Sequence, residues 1–375
     1  LVYASVFYEA PVRYAQNADI RIEEEKMAVL IQELVGEYYG EHFYPAISGV
    51  AQSYNFYPYY PMKPEDGTVS LALGFGKMIV EGERSFRFSP AYPKLNPLVS
   101  SPQEQMSKAQ NLFYSVNLKK TANLTLQADE DYVYEKMTVS QAYKDGALEY
   151  TGSTYSAEND CIYDNVNHTG LKVLTFAPIL KYGRLPLTQI IQDLMHMGKK
   201  AFGSDVEIEF AVNIPKDKNK LTEFNFLQIR PIVVGREAHQ VNLEETTDTW
   251  CFSQRTIGNG YYDDIKDIIY VDPEKFDLKE SMQIAREIGT LNKMLAQEGR
   301  RCILIGFGRI GTSDRWLGIP LTWEQMSQSL IIVEVERREL RPEPSLGSHF
   351  FHNLTATGMG YFHVPFTGEH GTIDW

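Results

Sequence analysis

Apolar and polar residues alternate in two neighbouring stretches of the chain, 206–210 and 227–230. In the first, Val206, Ile208 and Phe210 interleave with Glu207 and Glu209; in the second, Leu227 and Ile229 interleave with Gln228 and Arg230. Successive side chains of a strand point to opposite faces, so each stretch predicts a strand with one apolar and one polar face. The segment between them carries Lys216, Asp217, Lys218, Asn219 and Lys220, the solvated tip expected of a hairpin. If the strands pair antiparallel, both polar sets fall on one face, interrupted by Phe226.

Elsewhere the period changes. Leu187, Ile190, Ile191, Leu194 and Met195 recur at helical spacing, which predicts an amphipathic helix over 187–200 with His196 as a structural residue. Residues 1–18 read as helical with a break at Pro11, and the apolar run 27–35 reads as a buried strand containing Gln32. A strand is expected from Leu171, and 119–134 alternates like strands within a loop-rich stretch, 96–170. The polar run after Pro231 reads as a connector, with a boundary at 238–239. Beyond it, strands at 268–271, 302–305 and 330–335 alternate with a long helix and a short one over 322–328. Asp277 and Glu280 form a capping box for the long helix, Leu278, Met282, Ala285, Ile288, Leu291 and Leu295 trace its buried stripe, and Gly299 ends it. That order predicts an α/β layer with parallel strands.

The polar face of the hairpin is the strongest candidate for chemistry. Two carboxylates, an amide oxygen and a guanidinium converge there; carboxylate and carbonyl oxygens suit Mg²⁺, and a guanidinium suits a pair of phosphate oxygens. The same pattern also arises in any hairpin with one face in water. Gly74, Gly76 and Gly82 frame a second stretch. It is not a dinucleotide fingerprint, because Ile79 stands where the third glycine belongs, and not a P-loop, because Met78 follows Lys77.

These residues bring in a family. V-E-I-E-F followed by L-Q-I-R-P resembles the end of the ATP-grasp nucleotide-binding domain of phosphoenolpyruvate synthase and pyruvate phosphate dikinase. The glycine stretch resembles that family's Gly-Leu-Gly-Glu segment, with Lys77 in place of the acid, and Ser48-Gly49-Val50 resembles its strand after the hinge. The resemblance covers roughly 1–95 and 170–235, with 96–170 as a β-rich insertion. It implies that Glu209 and Gln228 hold Mg²⁺ on ATP and that Arg230 contacts the phosphates and is the candidate catalytic residue. Glu207, Gln32, Gly74, Gly76 and Lys77 would line the nucleotide. The implied fold is α+β, a partial ATP-grasp domain over 1–238 followed by a smaller α/β domain over 239–375. The implied reaction passes phosphate from ATP to a histidine on another domain of the parent protein. The family's arginine–serine–serine motif and ATP-binding lysine would precede Leu1, and the chain starts without methionine, so a fragment that is inactive alone is expected. The competing readings are a non-enzymatic regulatory or assembly module on a degenerate ATP-grasp fold, and a carboxylate–amine ligase.

Composition narrows the partners. At 375 residues, 43% apolar and 12% aromatic, the chain can bury a sizeable core. A net charge of −13 argues against nucleic acid and anionic membrane surfaces, so a phosphate must be held by a few placed cations and backbone N–H groups. Cys161, Cys251 and Cys302 are far apart and odd in number, which fits a reducing, cytoplasmic compartment. No apolar run approaches the ~20 residues of a spanning helix. In the second domain, Arg309, Ser313, Asp314 and Arg315 follow a strand within G-F-G-R-I-G-T-S-D-R, a place where α/β sheets hold ligands and where these residues could hold an anion, although a glycine-rich turn and a packed edge are the preferred account of the text. That text and S-H-F-F are similar to segments of larger proteins carrying this ATP-grasp domain. His349 and His352, with His363, His370 or Glu334, form a loosely spaced candidate zinc set.

Overall fold

The computed structural model describes residues 2–7, 12, 28–95, 101–121, 132–232, 249–258, 262–345, 350, 354, 358–368 and 370–375. The chain is mixed α and β, and its two halves differ in sheet type. In the first, β1 (Glu37–Tyr39), β2 (His42–Tyr44), β6 (Leu112–Asn117) and β7 (Tyr134–Thr138) form one antiparallel sheet. A second antiparallel sheet contains β8 (Gly152–Ser156), β9 (Cys161–Tyr163) and β10 (Leu171–Leu174). The central sheet has five antiparallel strands in the order β12 (Glu223–Pro231), β11 (Val206–Asn213), β3 (Ile47–Gln52), β4 (Thr68–Ala72), β5 (Phe86–Phe88).

One face of the central sheet is apolar. Ile47, Ala51, Val69, Leu71, Ile208, Phe210 and Val212 pack with Leu187, Ile191 and Met195 of the helix Leu187–Phe202. Phe113, Met137 and Leu148 share this core, so the stretch read as an insertion contributes to it. Gly49 is required at the centre: a Cβ there would lie 2.1 Å from the Phe210 ring, which occupies the space over β3.

The second half is built on parallel strands β15 (Ile265–Tyr270), β16 (Arg301–Phe307), β19 (Ser329–Val335) and β20 (Gly360–Val364), with β14 (Thr256–Ile257) antiparallel at the edge. The small pairs β13 (Cys251–Ser253) with β21 (Gly371–Ile373), and β17 (Arg309–Ile310) with β18 (Gly318–Ile319), complete it. The helix Ser281–Gln297 covers the sheet with Ala285, Ile288 and Leu295. Its stripe is narrower than expected: Met282 and Leu291 are exposed, and Ser281, Gly289 and Asn292 are buried in their place. Asn292 satisfies its amide on Glu324 O and Ser327 Oγ, which is why a polar residue can sit there. Asp277 caps a 3-10 turn, Leu278–Glu280, that leads into the helix.

One expectation fails. Residues 28–36 form no strand, and Val29, Leu30, Ile31 and Leu34 are exposed. An apolar run predicts burial only when a neighbouring layer covers it, and none does so here among the described residues. Of 1–18, Val2–Ser5 is a helical turn and Val12 is helical; the rest of that expected helix, with its break at Pro11, lies largely outside the described residues. No described helix is long and apolar enough to cross a membrane.

Candidate functional site

The pairing of β11 with β12 frames the site. Glu207 opposes Arg230 and Glu209 opposes Gln228, and directly opposed residues share a face. The register then shifts: Phe210 opposes Phe226, leaving Leu227 as the extra residue of a bulge. The shift gives Phe226 the face of Phe210, which stacks on Phe224 with ring centroids 5.0 Å apart. Phe226 therefore does not interrupt the polar row.

Within that row the two glutamates differ. Glu207 is buried and fully engaged, accepting from Gln52 Nε2 at 2.7 Å, from Arg230 Nε at 2.8 Å and from the Arg230 Nη2 as well. Gln52 was not foreseen, although Ser48, Val50 and Gln52 alternate along β3 and announce the same polar face. Glu209 is half-buried, and burial pushes its carboxyl above the ordinary range; Arg230 pulls it back and Glu207 pushes it further up. Among the described residues, neither the Glu209 carboxylate nor the exposed Gln228 amide has a side-chain partner.

The glycine stretch adjoins this row. Gly74 takes φ +76°, and a Cβ there would come within 2.5 Å of Tyr114 O. The turn lets the short helix Lys77–Val80, preceded by Gly76, fold back so that Met78 and Ile79 pack on Val50 and Ala72. Val50 is the cross-strand neighbour of Glu209, so helix and carboxylate occupy the same side of the sheet. Lys77 pairs with Glu81 at 2.8 Å and lies 5.9 and 5.6 Å from the ring centroids of Tyr114 and Tyr134. Gln32 approaches from the outer edge of β12, its Nε2 donating to Leu227 O at 2.9 Å, the carbonyl of the bulge residue. The arrangement is an uncommitted pair of oxygen donors beside an arginine: a hard cation with an attached polyanion matches that chemistry.

The second half contributes differently from expectation. Arg309, Ser313, Asp314 and Arg315 do not converge. Arg309 donates to Glu343 O at 2.8 Å and to Gly82 O, and Ser313 donates to Glu81 at 3.2 Å and Glu83 at 3.1 Å. Asp314 accepts from Trp316 N, and Arg315 donates to Lys279 O. The glycine-rich loop is thus a docking loop onto the turn that follows the Lys77 helix. A zinc set is not formed by the described residues. Glu334 is enclosed by the Ile310 and Ser345 amides and the Ser345 and Tyr361 hydroxyls, and His370 Nδ1 bonds Gln254 Oε1. His349 and His352 lie outside the described residues.

Residues 1–249 match the family described as pyruvate phosphate dikinase, AMP/ATP-binding domain. No curated protein matches the chain.

Proposed function

On the premise that the chain belongs to the pyruvate phosphate dikinase AMP/ATP-binding domain family, we propose that the polar face of the central sheet holds Mg-ATP for phosphoryl transfer to a histidine on another domain of the parent protein. Glu209 and Gln228 are the Mg²⁺ ligands in this reading. The ion, when bound, supplies charge neutralisation on the phosphate oxygens. Mg²⁺ commonly takes only one or two protein ligands and completes its octahedron with water and phosphate, so a pair is sufficient. Arg230 serves the phosphates, held in place by Glu207. The turn at Gly74 and Gly76 and the ammonium of Lys77 border the phosphate side, and Gln32 the base or sugar side. ATP-grasp geometry and a cytoplasmic setting belong to the same reading. Phosphoryl transfer of this kind needs positioning and charge compensation more than covalent participation by the protein.

The observation that carries the reading is the Glu209–Gln228 pair: directly opposed, on the face bearing Arg230, and without side-chain partners among the described residues. Titration of the chain with Mg-ATP tests it. Glu209→Ala and Gln228→Ala are each expected to weaken binding about tenfold or more, as for a lost charged contact. Unchanged affinity in both variants overturns it. One observation favours a non-enzymatic module instead: the cations Lys77 and Arg230 already have carboxylate partners in Glu81 and Glu207. A chain with no Mg-ATP affinity at all supports that module.

A further inference from the structure

A cleft of about 410 Å³ is lined by residues of both halves, and none of the residues of the polar sheet face lines it. Arg84 lines it from the turn after the Lys77 helix, Arg309 from β17, Arg338 from the tight turn closed by the Arg337–Leu340 bridge, and Arg341 from the position just after that turn. The backbone of that turn bonds in both directions, Arg337 N to Leu340 O at 2.9 Å and Leu340 N to Arg337 O at 3.1 Å, which fixes Arg338 near its tip. None of the four guanidiniums has a carboxylate within ion-pair distance among the described residues. Arg309 is held by two backbone carbonyls, and Arg341 lies 4.8 Å from the Phe366 ring centroid.

The acidic residues of the cleft do not balance them. Glu104 is taken by Lys108 at 2.8 Å, and Glu339 by Arg337 at 3.2 Å. Glu343 lends its carbonyl to Arg309, and its carboxylate makes no ion pair among the described residues. Gathering four arginines around one hollow costs mutual repulsion, and in a chain of net charge −13 it runs against the general field. Guanidinium forks are matched to phosphate oxygens.

We propose that this inter-domain cleft is a binding site for a small phosphorylated anion, separate from the sheet face and requiring both halves of the chain. Its occupant neutralises arginines from both halves and draws the Arg338 turn toward the Arg84 turn.

The test is calorimetric titration of the full chain with inorganic pyrophosphate, with EDTA present to remove divalent cations. Saturable binding is expected, weakened at least tenfold in Arg338→Ala/Arg341→Ala and in Arg84→Ala, and unchanged in Arg230→Ala. The exposed positions of Arg338 and Arg341 make loss of folding an unsuitable explanation, and an unaltered melting temperature without ligand verifies this. Three results overturn the proposal: no saturable binding, binding that survives the loss of Arg338 and Arg341, or an equal response to sodium chloride at matched ionic strength. Loss in Arg230→Ala alone assigns the anion to the sheet face and also overturns it.

Discussion

Glu209 and Glu334 are both carboxylates raised by burial, yet they stand in opposite conditions. Glu334 lies in the core of the parallel half, where two amides and two hydroxyls converge on it. It ties β19 to β17, β20 and the segment at Ser345, and nothing is left over for a ligand. Glu209 lies on the polar face of the antiparallel half with no side-chain partner among the described residues. Burial alone therefore does not mark a functional acid. What separates the two is whether the fold itself supplies the donors.

The largest expected effect sits on the saturated side. Glu334→Ala strands two amides and two hydroxyls in the core and should cost about 3 kcal/mol or more, read by urea denaturation. A loss below about 1 kcal/mol contradicts the description of this group as a structural hub.

Glu207→Ala comes next. It releases Arg230 and Gln52 together and is expected to cost about 2 kcal/mol, less than a deeply buried pair because Arg230 is partly exposed. Adding Arg230→Ala should recover part of that loss in a double-mutant cycle. Simple additivity would show that the pair does not hold the row.

His363 supplies a pH-dependent contrast. It is buried in the parallel half, accepts from Arg255 at 3.5 Å through Nδ1, and faces Glu336 at 3.5 Å through Nε2. Burial, then Arg255 and Arg309, pull its pKa down from 6.5 to about 3. The unfolded chain therefore takes up a proton below pH 6.5 that the folded chain refuses until about pH 3. Stability is complete above pH 6.5 and declines as pH falls toward 3, by at most about 1.4 kcal/mol per pH unit. His363→Gln should flatten that slope in a series of urea melts.

The smallest effect belongs to Glu209. Its folded pKa is raised, so its protonated form favours folding below the ordinary value of 4.5 and that contribution disappears as pH rises through the folded value. At neutral pH the ionised group is a slight burden, and Glu209→Gln should change stability by less than about 0.5 kcal/mol, toward greater stability. Destabilisation above about 1 kcal/mol places Glu209 with Glu334 and erases the distinction.

The legibility of the molecule follows the same physics. The hairpin, the helix Leu187–Phe202 and the parallel half were readable because each rests on a local period of two or 3.6. The bulge at Leu227 was not, because an extra residue leaves no mark in composition. The run 27–35 misled, since apolar character does not say whether a covering layer exists. Gln52 was available in the alternation of β3, but its role depends on pairing with a residue 155 positions away. The docking loop was visible as unusual text; that its serine and arginine serve the other half of the chain required the long-range contacts.

The bulge at Leu227 also works as a phase adjuster. It separates the base of the hairpin, where Glu209 meets Gln228, from the outer rungs, where Phe210 meets Phe226. A change in the length of the lysine-rich tip meets the outer rungs first, and the inner ones are held in addition by the Gln52–Glu207–Arg230 side-chain bonds. The tip can thus vary in size and charge with the inner pair kept in step.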